Sequence, residues 1–90
     1  MYRLGVRFHV FADTELALGA EEQGAVFAAL DALVPESGCV GPGRGGGSEI
    51  YFAVEAAAVE DAERIAREHL RTIFEASGVH ATYVLSIAET

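Results

Sequence analysis

Hydrophobic and polar residues alternate without a break over residues 2–12. Tyr2, Leu4, Val6, Phe8, Val10 and Ala12 fall on one side, Arg3, Gly5, Arg7, His9 and Phe11 on the other. A period of two over this length predicts a strand with one buried face. Asp13 to Gly19 then reads as a turn in which Asp13 or Thr14 can cap a helix. From Glu21 the period becomes helical, with Val26, Phe27, Leu30, Leu33 and Val34 forming the apolar stripe. Glu21 and Glu22 place negative charge in the first turn, where the helix dipole favours it, and Pro35 stops the helix.

Residues 49–56 alternate again, with Ile50, Phe52 and Val54 opposite Glu49, Tyr51, Ala53 and Glu55. Over 59–77 the stripe Val59, Ala62, Ile65, Ala66, Leu70, Ile73 and Phe74 predicts a second helix. Glu60–Arg64 and Glu63–Arg67 are expected ion pairs one turn apart on it. Gly78 suits the left-handed residue that ends such a helix. A last strand is predicted over 79–88, with Val79, Ala81, Tyr83, Leu85 and Ile87 inward and His80, Thr82, Val84 and Ser86 outward. Six of the ten glycines fall between Gly38 and Gly47, which predicts a flexible loop over 38–48 with room for a short strand at Ser37–Val40.

Strand, helix, short strand, strand, helix, strand is the order of a ferredoxin-like βαββαβ sandwich. The expected fold is therefore α+β: one domain over 1–90, a two-layer sandwich with an antiparallel sheet and two helices on one face. Without the short strand it becomes a three-stranded βαβαβ unit. In the first topology the opening strand is central, flanked by the third and last strands, both antiparallel to it. End-to-end pairing puts Arg7 near Glu55, Phe11 near Tyr51, and His9 near His80 and Thr82.

Two helices leave one sheet face open, and its expected residues are Arg3, Arg7, His9, Phe11, Tyr51, Glu55, His80, Thr82 and Val84. Aromatic and aliphatic groups among charges suit a contact surface better than a plainly solvated one. Composition narrows the partner. Fourteen acids against six arginines and no lysine give a formal charge of −8, which disfavours nucleic acid and anionic membranes. Most acids lie on the two helices, whereas Arg3, Arg7 and Arg44 fall on or beside the sheet side, so the open face is expected to be the less acidic one. One cysteine, Cys39, leaves no internal disulfide. With no leader pattern and no long apolar run, a cytoplasmic protein is expected.

Specific chemistry is thin. His9, His80 and Glu55 form a conceivable metal set only if the assumed register brings them together, and no metal is assigned. The run Gly41-Pro42-Gly43-Arg44-Gly45-Gly46-Gly47-Ser48 lacks the lysine of a phosphate loop and leads into a strand, so neither a phosphate loop nor a dinucleotide fingerprint fits. Arg44 is left as an exposed contact at its tip. Glu49 and Glu55 stand where an RNA-recognition sheet carries basic and aromatic residues. Cys39 and the serines lack an activating context, so no catalytic residue and no cofactor are assigned. Two functions remain: a binding or assembly module, as a homodimer or an accessory subunit on another protein, acting through the open face; or a small cofactor-independent enzyme or ligand sensor with a pocket between that face and the 41–48 loop. Phe52 and Ile65 are expected in the core, and deleting Gly45–Gly47 is expected to cost far less than truncating either.

Overall fold

The computed structural model describes residues 5–35 and 37–89. Six elements follow one another: β1 (Val6–Thr14), α1 (Ala20–Leu33), β2 (Cys39–Pro42), β3 (Ser48–Ala56), α2 (Val59–Ser77) and β4 (Tyr83–Glu89). The four strands form one antiparallel sheet in the order β2-β3-β1-β4. The protein is thus an α+β sandwich of the expected class, with β1 flanked by β3 and β4. The short β2 excludes the three-stranded alternative, lying two residues later than its predicted position.

Alternation decides the layering. Phe8, Val10, Ala12 and Thr14 of β1 are buried, as are Ser48, Ile50, Phe52, Val54 and Ala56 of β3. They meet Val26 and Leu30 of α1 and Ala62, Ala66, Leu70 and Ile73 of α2 in one core. Phe27, expected in the α1 stripe, is instead 45% exposed, because small alanines on this helix let Val26, Ala29 and Leu30 make the contact. Ile65, expected in the core, is half-buried at its margin. No helix among the described residues is long and apolar enough to cross a membrane.

The helix ends show which local signals matter. Gly19, rather than Asp13 or Thr14, precedes α1, and its N–H donates to the Glu22 carboxylate at 2.9 Å. Thr14 cannot cap because it belongs to β1, where its hydroxyl accepts from the Ser48 N–H at 2.9 Å. At the other end of the fold Gly78 has φ 71°, the left-handed ending expected after α2. Glu63–Arg67 forms as expected at 3.1 Å, but Arg64 turns from Glu60 to Glu68 (3.4 Å) and Asp61 (3.7 Å).

Two connections differ from the sequence reading. Gly43 N–H donates to Gly47 O at 2.8 Å and closes the turn between β2 and β3. Gly47 and Ser48 at its end are buried, where Ser48 Oγ also accepts from the Leu18 N–H at 3.0 Å. The last strand begins at Tyr83 instead of Val79, because β1 ends at Thr14 and leaves nothing for residues 79–81 to pair with.

His69 of α2 packs its ring 5.6 Å from that of Phe52. Burial lowers its pKa, against a smaller opposing pull from Glu68. A lowered folded pKa means that the unfolded chain takes up the proton first as pH falls. Stability from neutral His69 is therefore present above its ordinary value and lost below it. The melting temperature should fall between about pH 7.5 and 5.5, and His69→Gln should flatten that fall; an unchanged slope in the variant would contradict the assignment.

Candidate functional site

Residues directly opposite one another in a sheet project from the same face, so the register maps the face away from the helices. One row holds Glu49, Asp13 and Val84; the next holds Cys39, Tyr51, Phe11 and Ser86. A third holds Ala53, His9 and Ala88, and a fourth Glu55 and Arg7. The face therefore has an acidic end, an aromatic middle and an end where an arginine opposes a glutamate.

The aromatic middle is one cluster. Tyr51 lies 5.2 Å from Phe11 and 5.7 Å from His9 between ring centroids, and its hydroxyl is hydrogen-bonded to His9 Nδ1 at 2.5 Å. These three side chains are half-buried although no helix covers them. Their mutual contacts fix the rings, so the middle of the face is a firm apolar platform with its polar atoms already engaged.

The acidic end is electrostatically uncomfortable. Asp13 and Glu49 stand directly opposite each other, an arrangement that disfavours pairing of their strands. Asp13 Oδ1 is buried, and it has no hydrogen-bond partner among the described residues. A buried acceptor left without a donor costs about 1–3 kcal/mol.

The structure thus keeps part of the expected site together. Arg7 meets Glu55 and Phe11 meets Tyr51, as the end-to-end pairing implies. His9 does not meet His80 or Thr82; it stands opposite Ala88, because β4 enters the sheet beside Thr14. Exposed Thr82 precedes β4 and its hydroxyl donates to the Glu15 carboxylate at 3.1 Å, with exposed His80 beside it. That removes the His9–His80–Glu55 metal set, and no group of three or more metal-ligating side chains exists among the described residues. Val84 lies on the face at its β4 edge, 70% exposed. Arg44 sits exposed in the β2–β3 turn, and Arg3 lies outside the described residues.

Asp13 and Glu49 are the members that sequence reasoning missed. Both continue the odd-numbered alternation, but ending the first strand at residue 12 hid Asp13. With them the described face holds one arginine against Asp13, Glu49 and Glu55, so it is acidic in its own right, though less so than the helical layer, where eight acids stand against Arg64, Arg67 and Arg71. Compared with protein-family models, with characterised proteins and with solved structures, the chain finds no match in any of the three.

Proposed function

We propose that the protein is an assembly module whose open sheet face receives the same face of a second copy. The observation that carries this reading is the polarity of β1 across the aromatic cluster: Arg7 at one end, His9 and Phe11 in the middle, and Asp13, whose Oδ1 has no donor among the described residues, at the other. A two-fold axis through the middle of β1 exchanges residue 7 with residue 13 and residue 9 with residue 11. Arg7 of each copy then approaches Asp13 and Glu49 of the other, and the two aromatic clusters cover each other.

Geometry permits this. Arg7 and Asp13 are six residues apart, about 20 Å along a strand. Two sheets packed face to face are about 10 Å apart and cross at about 30°, which displaces the strand ends by roughly 5 Å. An arginine side chain spans that. The isologous contact is self-complementary, as a two-fold interface must be. It places Arg7 and no like charge opposite Asp13, while Glu55 comes opposite Glu49 of the other copy.

Phe11→Glu puts an unpaired charge at the centre of this interface. The expected result by sedimentation velocity is a mass reduced by half relative to the wild type, with association weakened at least about a hundredfold. Its far-UV circular dichroism should be unchanged, because Phe11 is not a core residue. A wild-type chain that sediments as a monomer at about ten micromolar, or a variant of unaltered mass, would refute the reading.

A further inference from the structure

The two edges of the sheet are built differently. β2 is four residues long and ends in Gly41-Pro42, so it offers little backbone for another strand to pair with. β4 is seven residues, Tyr83–Glu89, without proline or a basic residue, and its only charge is the last one. Nothing among the described residues pairs with its outer side. Such an edge is a template for strand addition unless something protects it.

The inward side chains of β4 are also incompletely covered. Tyr83, Leu85 and Ile87 are half-buried, whereas the inward residues of β3 are all buried and those of β1 are buried from Phe8 to Thr14. Above this edge runs a groove of about 710 Å³, bounded by Tyr83 and by a flank of α2 that carries Glu60, Glu63, Arg64, Arg67, Glu68 and Arg71. That flank is polarised. Glu60 and Glu63 stand towards the start of the helix, and beyond them Arg64, Arg67 and Arg71 outnumber Glu68; Glu60 and Arg71 have no ion pair among the described residues.

We infer that β4 pairs edge to edge with β4 of a second copy, extending the sheet to eight strands and setting α2 antiparallel to α2 of that copy. This interface is separate from the open face and does not rest on the reading given for it. An axis normal to the sheet through Ser86, the middle of β4, uses all seven residues. On the helical side it sets Leu85 opposite Ile87 of the other copy, completing their burial. On the open side it sets Val84 opposite Ala88. Glu89 then meets Tyr83 and not a second Glu89. The same axis brings the acidic half of each α2 flank beside the arginine half of the other. That complementarity selects a second copy as the occupant: a strand from an unrelated chain would pair with the backbone but leave the polarised flank unmatched.

The test is a charge swap in the Phe11→Glu background, where the open face no longer contributes. Sedimentation equilibrium is expected to show that background as a dimer. Arg67→Glu/Arg71→Glu leaves Arg64 alone among five acids on the flank, and Glu60→Arg/Glu63→Arg leaves Glu68 alone among five arginines. Each should raise the dimer dissociation constant at least tenfold, and an equimolar mixture of the two should recover the background value. Recovery in the mixture cannot arise from misfolding of either variant. A monomeric background, unchanged constants, or a mixture that does not recover would each overturn the edge pairing. Were Phe11→Glu instead to retain the full wild-type mass, the open-face reading would fail while the swap still decided the edge.

Discussion

Gly47→Ala should cost about 3 kcal/mol or more of folding stability, a large change for a residue in a glycine-rich turn. A β-carbon at this position would lie 1.8 Å from the Thr14 carbonyl oxygen and 2.8 Å from its carbon. Neither is the end of a side chain that can rotate away. Thr14 is held in the sheet opposite Tyr83, and its hydroxyl donates to Leu16 O at 2.7 Å and accepts from the Ser48 N–H. The end of β1 must therefore move away from the turn. Moving it breaks the buried Ser48–Thr14 bond and strains the Leu18–Ser48 bond that fixes the entry to α1. Overpacking costs about 1–3 kcal/mol and each orphaned buried donor about as much again. For a domain of this size the melting temperature should fall by about 12–24 °C. Gly45→Ala is the control, since a β-carbon there meets nothing within 4 Å; it should change stability by less than about 0.5 kcal/mol. Urea melts that place the two variants within 1 kcal/mol of each other (roughly the scatter of surface mutations) would mean that the Gly47–Thr14 approach carries no weight.

The same contact separates what was legible in the sequence from what was not. Period and punctuation located every element: alternation marked β1, β3 and β4, the apolar stripe marked α2 to the residue, and Gly78 marked its end. These signals are local, since each depends on which face of one element is buried. Register is not local. The pairing of β1 with β3 joins two long alternating runs that match end to end, so Arg7–Glu55 and Phe11–Tyr51 could be placed. The pairing of β1 with β4 depends on where the chain re-enters the sheet after α2, and alternation through residues 79–82 gives no sign that the strand has yet to begin. His9 and His80 were joined by that error alone. Gly47 was invisible for a related reason: a glycine required by the approach of a distant carbonyl reads in sequence like one that is merely tolerated. Deleting Gly45–Gly47 is for this reason no longer the mild change that loop length alone suggests.

Legibility of the site failed in a more instructive way. Composition pointed to a face less acidic than the helical side, yet the alternation that made β1 readable runs one residue further and places Asp13 there, opposite Glu49. Two opposed carboxylates are a cost that an isolated sheet would gain by shedding. Their position at the far end of β1 from Arg7 is what gives the open face a direction, and a face with a direction can recognise its own copy reversed. The β4 edge repeats that logic in the helical layer, where the α2 flank opens with Glu60 and Glu63 and its three arginines, with Glu68 among them, lie further along.

Phe52→Ala should cost about 3–5 kcal/mol, the range for a fully buried phenylalanine. Phe52 lies at the centre of β3, is 0% exposed, and stands opposite Val10 under Leu70 and Ile73 of the same core. Its neighbours come from both layers, so the space left by the ring cannot close without moving α2 against the sheet. Ile65→Ala is expected to cost less, about 1–2 kcal/mol, because half-burial at the core margin removes less apolar surface from water. A domain of this length has a total stability of about 5–13 kcal/mol. Loss of Phe52 therefore leaves little, and self-association then matters: any interface that binds only the folded chain adds stability that grows with protein concentration. The melting temperature of Phe52→Ala should accordingly rise with concentration. In the Phe52→Ala/Phe11→Glu double variant that rise should be smaller, because one of the two interfaces is gone. Equal costs for Phe52→Ala and Ile65→Ala would show that the core is not centred on β3. A melting temperature independent of concentration in Phe52→Ala would remove the link between folding and assembly.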